Sequence, residues 1–384
     1  MKKSYSLLLI LLILCLTLSA CSPYSNVHKG YIQEHTVDIT LDLNSVLDTY
    51  ETNFDSYDVF LIGEQHGISE TFDIDVSMIK YLYETQNVRT VLLEMGFADG
   101  QLINKYMETG NEEYLKNIFA NLPGTYAYSN NNYQMYRDLY AFNLALSADA
   151  KITFIGIDVQ HQAETALYYM NLLLPEGSVP DSIIDAVAGL EACTTSANPT
   201  WQSIAQSLKQ AVDNHEADIR SYFADEYDNF FLALEGVYQG TEFYDFSDRP
   251  DEYREEMMIQ NFMTLHSRWN SRKAVALLGG AHVSLTSEDI GYTSFAEAIN
   301  TSVHFSKNRV ASIYLAYLGG KHMNNRDGSP QNVWISDLAK FLGKYIDYDL
   351  GFCRLDFDGT PFQNGYQYVI TIKNAEPTIR YNIH

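Results

Sequence analysis

Six short apolar runs recur along the chain and decide most of what it can fold into. They are "DVFLIG" (58 to 63), "RTVLLEM" (89 to 95), "KITFIGID" (151 to 158), "KAVALLGG" (273 to 280), "RVASIYLAYLGG" (309 to 320) and "QYVITIK" (367 to 373). Each is short and rich in β-branched residues, and most end in glycine or an ionisable residue, which suits buried strands better than helices. Longer stretches with helical spacing lie between them, such as "SMIKYLYETQ" (77 to 86), "YQMYRDLYAFNLAL" (133 to 146) and "YREEMMIQNFMTLHSRW" (253 to 269). Strand, helix, strand in alternation predicts an α/β fold: a mainly parallel central sheet with helices on both faces.

Residues 162 to 250 depart from this pattern. They carry helical periods ("SIIDAVAGLEA", "SIAQSLKQAVDNHEADIRSYF") and no clear strand. They read as an inserted helical cap, lying either over the sheet edge or over a substrate. No linker flanks the insertion and no repeat or low-complexity block interrupts residues 40 to 384, so residues 36 to 384 are expected to form one domain. A hydrophobic content of 46% over 384 residues is ample for its core.

The N-terminus is organised differently. Lys2 and Lys3 precede the apolar run "SLLLILLILCLTLSA" and Cys21. A positive start, a short apolar segment and small residues before a cysteine make residues 1 to 20 a secretion signal. The tetrapeptide "LSAC" looks like a bacterial lipobox, which implies acylation of Cys21, with palmitate as a typical chain. Residues 21 to 35 then read as a lipid-anchored tether, and the protein as lying on the extracytoplasmic face of a cell membrane or outer membrane. The formal net charge of −24 becomes about −26 once Lys2 and Lys3 are removed. So acidic a surface repels phosphate backbones and anionic lipid headgroups, so no nucleic acid is expected as a partner and membrane contact falls to the acyl anchor. Of the cysteines beyond Cys15 and Cys21, Cys193 and Cys353 are compatible with a disulfide or with buried free thiols.

If the six runs are parallel strands, the residues just past their carboxyl ends share one rim, where open α/β sheets bind ligands. Glu64 and His66 lie there in "FLIGEQHGISE", together with Glu94, Asp158 and His282. Any one of them alone reads as a helix cap or an ordinary polar residue. As a set they would have to pair, bind a metal or hold shifted pKa values, because unpaired burial of so many ionisable groups is costly. In extended chain residues two apart face the same side, so Glu64 and His66 can converge, with Gly63 and Gly67 allowing a tight backbone and close approach of a ligand. Two imidazoles and two carboxylates serve equally a histidine acting as general base on water and a divalent metal lowering the pKa of bound water.

These residues resemble the erythromycin esterase superfamily, which also takes in the ChaN haem-binding lipoproteins and is distantly similar to the Tiki and TraB proteins. "FLIGEQHGISE" resembles the family's first glycine-glutamate-histidine block and "VLLEMGF" its second. "LYAFNLALSADAKITFIGIDVQ", "REEMMIQNF", "AVALLGGAHVSL" and "YQYVITIKNAEPT" resemble later blocks in the same order. The resemblance implies a hydrolase acting on an ester or related bond of a small molecule, with Glu64, His66, Glu94 and His282 as the reactive cluster and Asp158 and Arg254 close by. In that picture His66 activates water, Glu64 and Glu94 orient it or hold charge, and His282 and Arg254 meet the developing oxyanion. Arg254 reads equally as an exposed helix charge paired with a neighbouring glutamate.

Macrolide esterases usually place two residues between the first glutamate and histidine. "GEQH" has one, closer to the ChaN pattern. That leaves a haem or iron-binding lipoprotein as an alternative, with Tyr126, Tyr128, Tyr133, Tyr136 and His161 as candidate ligands, and a Tiki-like metal-dependent peptidase as a third reading. No cofactor is required if His66 acts as base; a divalent metal or haem belongs to the alternatives. "LGGKH" at 318 to 322 echoes "LGGAH" and makes His322 a further candidate for the rim.

Overall fold

The structure, a computed structural model, describes residues 26–197, 200–245, 249–269, 271–287, 291–302, 305, 307–356 and 365–382. The expected signal segment and Cys21 lie outside the described residues.

The strands are β1 (Thr36–Asp38), β2 (Val59–Glu64), β3 (Thr90–Leu93), β4 (Thr153–Gly156), β5 (Ala274–Gly279), β6 (Val310–Tyr317), β7 (Lys321–Met323), β8 (Pro330–Asn332), β9 (Leu350–Arg354) and β10 (Tyr368–Ile372). Eight of them form one sheet in the order β1-β9-β10-β6-β2-β5-β3-β4. From β10 to β4 every neighbouring pair is parallel; at one edge β9 runs antiparallel to β10, and the edge strand β1 runs antiparallel to β9. Strands β7 and β8 form a separate antiparallel pair. All six apolar runs are the parallel strands. Val59–Gly63 and the whole of β3 and β10 are buried, so both faces of the sheet are covered and the apolar residues run continuously instead of alternating.

The helices are α1 (Asn26–His35), α2 (Asn44–Leu47), α3 (Ser69–Gln86), α4 (Phe97–Thr109), α5 (Glu113–Ala120) and α6 (Asn130–Leu144) before β4, then α7 (Ala163–Asn171), α8 (Ile184–Glu191), α9 (Trp201–Phe223), α10 (Tyr227–Asp245) and α11 (Pro250–Leu265) before β5, with α12 (Phe295–Thr301) and α13 (Asp337–Leu342) beyond. Among the described residues, 162–250 hold helices and no strand, as expected. Helix α4 packs on the edge strand β4, and α7 and α10 pack on α4, which sets the insertion beyond that edge of the sheet.

One difference from the sequence reading has a local cause. Residues 26–35, read as the end of a tether, form α1, because Ile32 is fully buried against Leu338, Phe341 and Leu342. Cys193 and Cys353 are both buried thiols that form no disulfide, one of the two states their sequence context allows.

Candidate active site

Strand β2 stays extended to its last residue, Glu64, and the chain then turns at Gly67, whose φ of +84° lies in the left-handed region that favours glycine. Glu64 and His66 therefore meet on one side: His66 Nδ1 lies 2.6 Å from Glu64 Oε1. Gly63 serves packing instead of ligand access, since a Cβ there would stand 2.1 Å from the side chain of Val283. That contact seats the short 3-10 turn Gly280–Val283, which carries His282 at the end of the neighbouring strand β5.

Glu94 follows β3 and is held by three donors. Arg254 Nη2 donates to its Oε1 at 2.5 Å, the Gly279 amide donates to its Oε2 at 2.5 Å, and His282 Nε2 lies 3.3 Å from Oε1. Asp158, after β4, accepts from Arg254 Nε at 3.0 and 3.1 Å and again from Nη2, and pairs with His161 Nε2 at 3.2 Å. Asn261 supports this turn by donating to the Ile157 carbonyl at 3.2 Å. On the far side of the cluster His282 Nδ1 lies 2.5 Å from Glu255 Oε1, and Glu255 Oε2 accepts from the Phe295 amide at 2.5 Å. Arg254 and Glu255 are neighbours on α11, so one helix turn supplies the cation for Glu94 and Asp158 and the anion for His282.

The charge states follow from these partners. Burial disfavours the Glu94 carboxylate, but His282, His66 and Arg254 more than offset it and hold its pKa well below the ordinary range. Asp158 is likewise pulled down against burial by Arg254 and His161. Burial opposes the charge on His282, yet Glu94 and Glu255 push its pKa up to about 10, which makes it a fixed imidazolium donating from both nitrogens. For His66 burial pulls down, while the hydrogen bond and charge of Glu64, aided by Glu94, push it up to about 9. Its side chain remains 42% exposed, so water screens part of that effect.

Glu64, His66, Glu94 and Arg254 line one open cavity of about 380 Å³. The aromatic ring of Tyr126 lies over His66, with centroids 5.8 Å apart. The backbone at Gly279 opens the space between His66 and Glu94: a Cβ there would stand 3.3 Å from His66 Nε2 and 3.4 Å from Glu94 Oε2. His66 Nε2 and Glu94 Oε2 thus both close in on the same side of the Gly279 Cα, which a larger side chain would force apart.

The six candidates from the sequence form two adjoining groups, the pair Glu64–His66 and the bonded set Glu94, Arg254, Asp158 and His282, and they do not share one role. Asp158 and His282 stand behind Glu94 and Arg254 and do not line the cavity. His282, expected to meet an oxyanion, spends both nitrogens on carboxylates; Arg254 is the cation that reaches the opening. Arg254 is not an exposed helix charge either, since its side chain is only 20% exposed. His322 stacks obliquely near Tyr126 at 6.0 Å and does not line the cavity. Of the candidate haem ligands, Tyr126, Tyr136 and His161 line it, Tyr128 and Tyr133 pack against Tyr381, and the Tyr133 hydroxyl donates to Glu112. They do not converge as a ligand set. Among the described residues no three His, Cys, Asp or Glu side chains are arranged to hold a metal ion, because the donor atoms of the cluster are aimed at one another. Glu255, Asp75 and Tyr244 were missed by the sequence reading. Glu255 had one available signal, its place beside Arg254 in "REEMM"; Asp75 had another, an acid in the apolar stripe of α3.

Comparison with known proteins sets the fold in context. The erythromycin esterase family model matches residues 83–303, a stretch holding Glu94, Asp158, Arg254, Glu255 and His282 but not Glu64 or His66. A solved structure of a Bacillus cereus protein aligns with a TM-score of 0.67 at 15% identity, covering 94% of this chain and 100% of its own. A succinoglycan biosynthesis protein aligns at 0.69 and 14% identity, over 94% of this chain and 99% of its own. An erythromycin esterase mutant, EreC in its open conformation, aligns at 0.63 and 12% identity, over 89% and 96%. At these identities the likenesses speak for the fold. No curated protein sequence matches the chain.

Proposed function

The chain belongs to the erythromycin esterase family, and from that premise we propose that it is a lipid-anchored hydrolase in which His66 activates water to cleave an ester or related bond of a small molecule. The observation that carries this is that His66 Nε2 and Glu94 Oε2 stand on the same side of Gly279 while both residues line one open cavity.

The Glu64 carboxylate takes the Nδ1 proton of His66 as a hydrogen bond and leaves Nε2 as the basic nitrogen of the neutral ring. Water in the cavity beside His66 gives a proton to Nε2 as its oxygen bonds to the carbonyl carbon, and the carbonyl π pair moves onto oxygen. Arg254 is the cation placed to stabilise that oxyanion. Collapse of the tetrahedral intermediate breaks the bond to the leaving alcohol, which takes the proton back from Nε2. Glu94, kept ionised by its three donors, orients the water and balances the imidazolium charge. Since His66 holds its proton up to about pH 9, the neutral base is the minor form at pH 7 and the rate climbs with pH. The arrangement of Glu64, Glu94 and His282 does not fit a metal, so the mechanism routes no step through one.

Lipid attachment at Cys21, removal of residues 1 to 20 and an extracytoplasmic position on a cell or outer membrane complete the proposal; they rest on "LSAC" and the apolar run before it. Residues 36 to 384 would then act as one catalytic domain capped by 162–250. Hydrolysis of a panel of chromogenic esters by the wild type, with loss of turnover in His66→Ala and Glu94→Ala, is the expected result. Unchanged turnover of every accepted ester in both variants would refute the mechanism.

A further inference from the structure

Asp75 lies outside the network described so far. It sits on α3 within the stripe Thr71, Ile74, Asp75, Met78, Ile79 and Leu82, all buried, and is itself only 5% exposed. An acid at such a position needs a partner, because a buried ionised carboxylate without one is strongly disfavoured. Asp75 has no hydrogen bond or ion pair within the described protein, and its side chain lines the same cavity as His66. Glu64, across from it, uses Oε1 for His66, while its Oε2 is buried and without a hydrogen-bond partner.

The other charges in the cavity are already matched. Arg254 is bound by Glu94 and Asp158, His66 by Glu64, and His161 by Asp158. What remains is a carboxyl that burial and the Glu64 charge keep protonated, and a carboxylate oxygen that no protein donor reaches. A neutral hydroxyl brings one proton and no charge; an ammonium group brings several protons and a positive charge, and so satisfies both. The walls add Tyr126, Tyr136, Tyr244 and Phe72, whose ring faces favour a cation.

We infer that Asp75 and the free Oε2 of Glu64 form a binding subsite for an ammonium-bearing group, so that the preferred substrate is an amine-containing ester. The inference rests on the proposed hydrolase reading for the bond that is cut, and on the cavity alone for the binding. Asp75 in the free protein holds its proton well above the ordinary carboxyl range, through burial and then the Glu64 charge. Binding a cation there therefore expels that proton, with Glu64, His66, Glu94, His161 and Arg254 as the other ionisable groups lining the cavity.

Calorimetry on the intact chain with hexylammonium, 1-hexanol and hexanoate tests this without any turnover. Hexylammonium is expected to bind at least about tenfold more tightly than hexanol, with hexanoate weakest, and to release about one proton at neutral pH, read as a heat that depends on the buffer. Asp75→Asn, which preserves shape, is expected to abolish both the preference and the proton release; Asp75→Leu should do the same if the asparagine variant folds poorly. Equal or tighter binding of hexanol or hexanoate to the wild type would overturn the inference, as would an ammonium preference that survives in Asp75→Asn, or calcium binding where hexylammonium does not bind. An ammonium preference in a protein that hydrolyses no ester would sink the hydrolase reading and leave the subsite standing. Ester turnover with no such preference would do the reverse.

Discussion

Strand β2 has an acid at each end, and the two are treated in opposite ways. Asp58, just before the strand, is 1% exposed and fully matched: Arg309 donates to both its oxygens at 2.6 and 2.8 Å, and Arg272 adds a third contact at 3.3 Å. Glu64, six residues on, spends one oxygen on His66 and leaves the other unpartnered beside an open cavity. The same residue chemistry thus closes one rim of the sheet and leaves the other reactive. What separates them is supply: the amino-end rim receives two arginines that lock a single carboxylate, while the carboxyl-end rim gathers Glu64, Glu94 and Asp158 from three strand ends and Asp75 from α3, with Arg254 shared between two of them.

If that contrast is real, substitutions at the two rims should separate activity from stability. The largest effect is expected at the open rim. His66→Ala should lower kcat for ester hydrolysis by roughly a hundredfold to ten-thousandfold with a modest change in melting temperature. At the closed rim the pattern should invert. Arg309→Met leaves Asp58 with Arg272, which is 75% exposed, and should cost about 2 kcal/mol in denaturant unfolding while leaving kcat unchanged. A loss of activity there, at matched folded fraction, would erase the distinction between the rims.

Gly279→Ala sharpens the contrast within the open rim. The residue adopts φ −61° and ψ 147°, which alanine tolerates, so the backbone gives no reason for a fold defect. The added methyl presses on His66 Nε2 and Glu94 Oε2 and shifts them by a few tenths of an ångström, so kcat should fall at least about tenfold with stability nearly intact. A smaller effect concerns stability at high pH. His282 has a folded pKa raised to about 10, so its contribution is complete below the unfolded value of about 6.5 and is lost as pH rises through about 10. The melting temperature should fall between pH 7 and pH 10, and fall less in His282→Gln.

The parallel core was legible because each strand is a continuous apolar run ending in a signal residue, and the same ends gave Glu64, His66 and Glu94. Strand β9 was not, because "LGFCR" is short, antiparallel and opens on a leucine and glycine that carry no alternation. Helix α1 was hidden because its one anchor, Ile32, meets partners some 300 residues away in sequence, as the burial of Ile32 with Leu338 and Leu342 shows. The roles of His282 and Arg254 could not be separated from sequence either. Their difference lies in which stands in front, and that is fixed by Glu255, a residue whose neighbour on the helix points the other way. Asp75 could have been noticed as an acid inside an apolar helical stripe, yet the stripe alone does not tell that its carboxyl opens into the cavity.

The pH dependence of kcat/KM for an accepted ester, measured side by side in the wild type and in Glu64→Gln, tests most directly whether Glu64 sets the basicity of His66. A wild-type rate that climbs with a midpoint near 9, moving down toward about 6.5 in the variant, is the predicted result, because the variant loses the hydrogen bond to an ionised carboxylate and its charge. An identical midpoint in both proteins would show that His66 does not draw its basicity from Glu64 and would contradict the account.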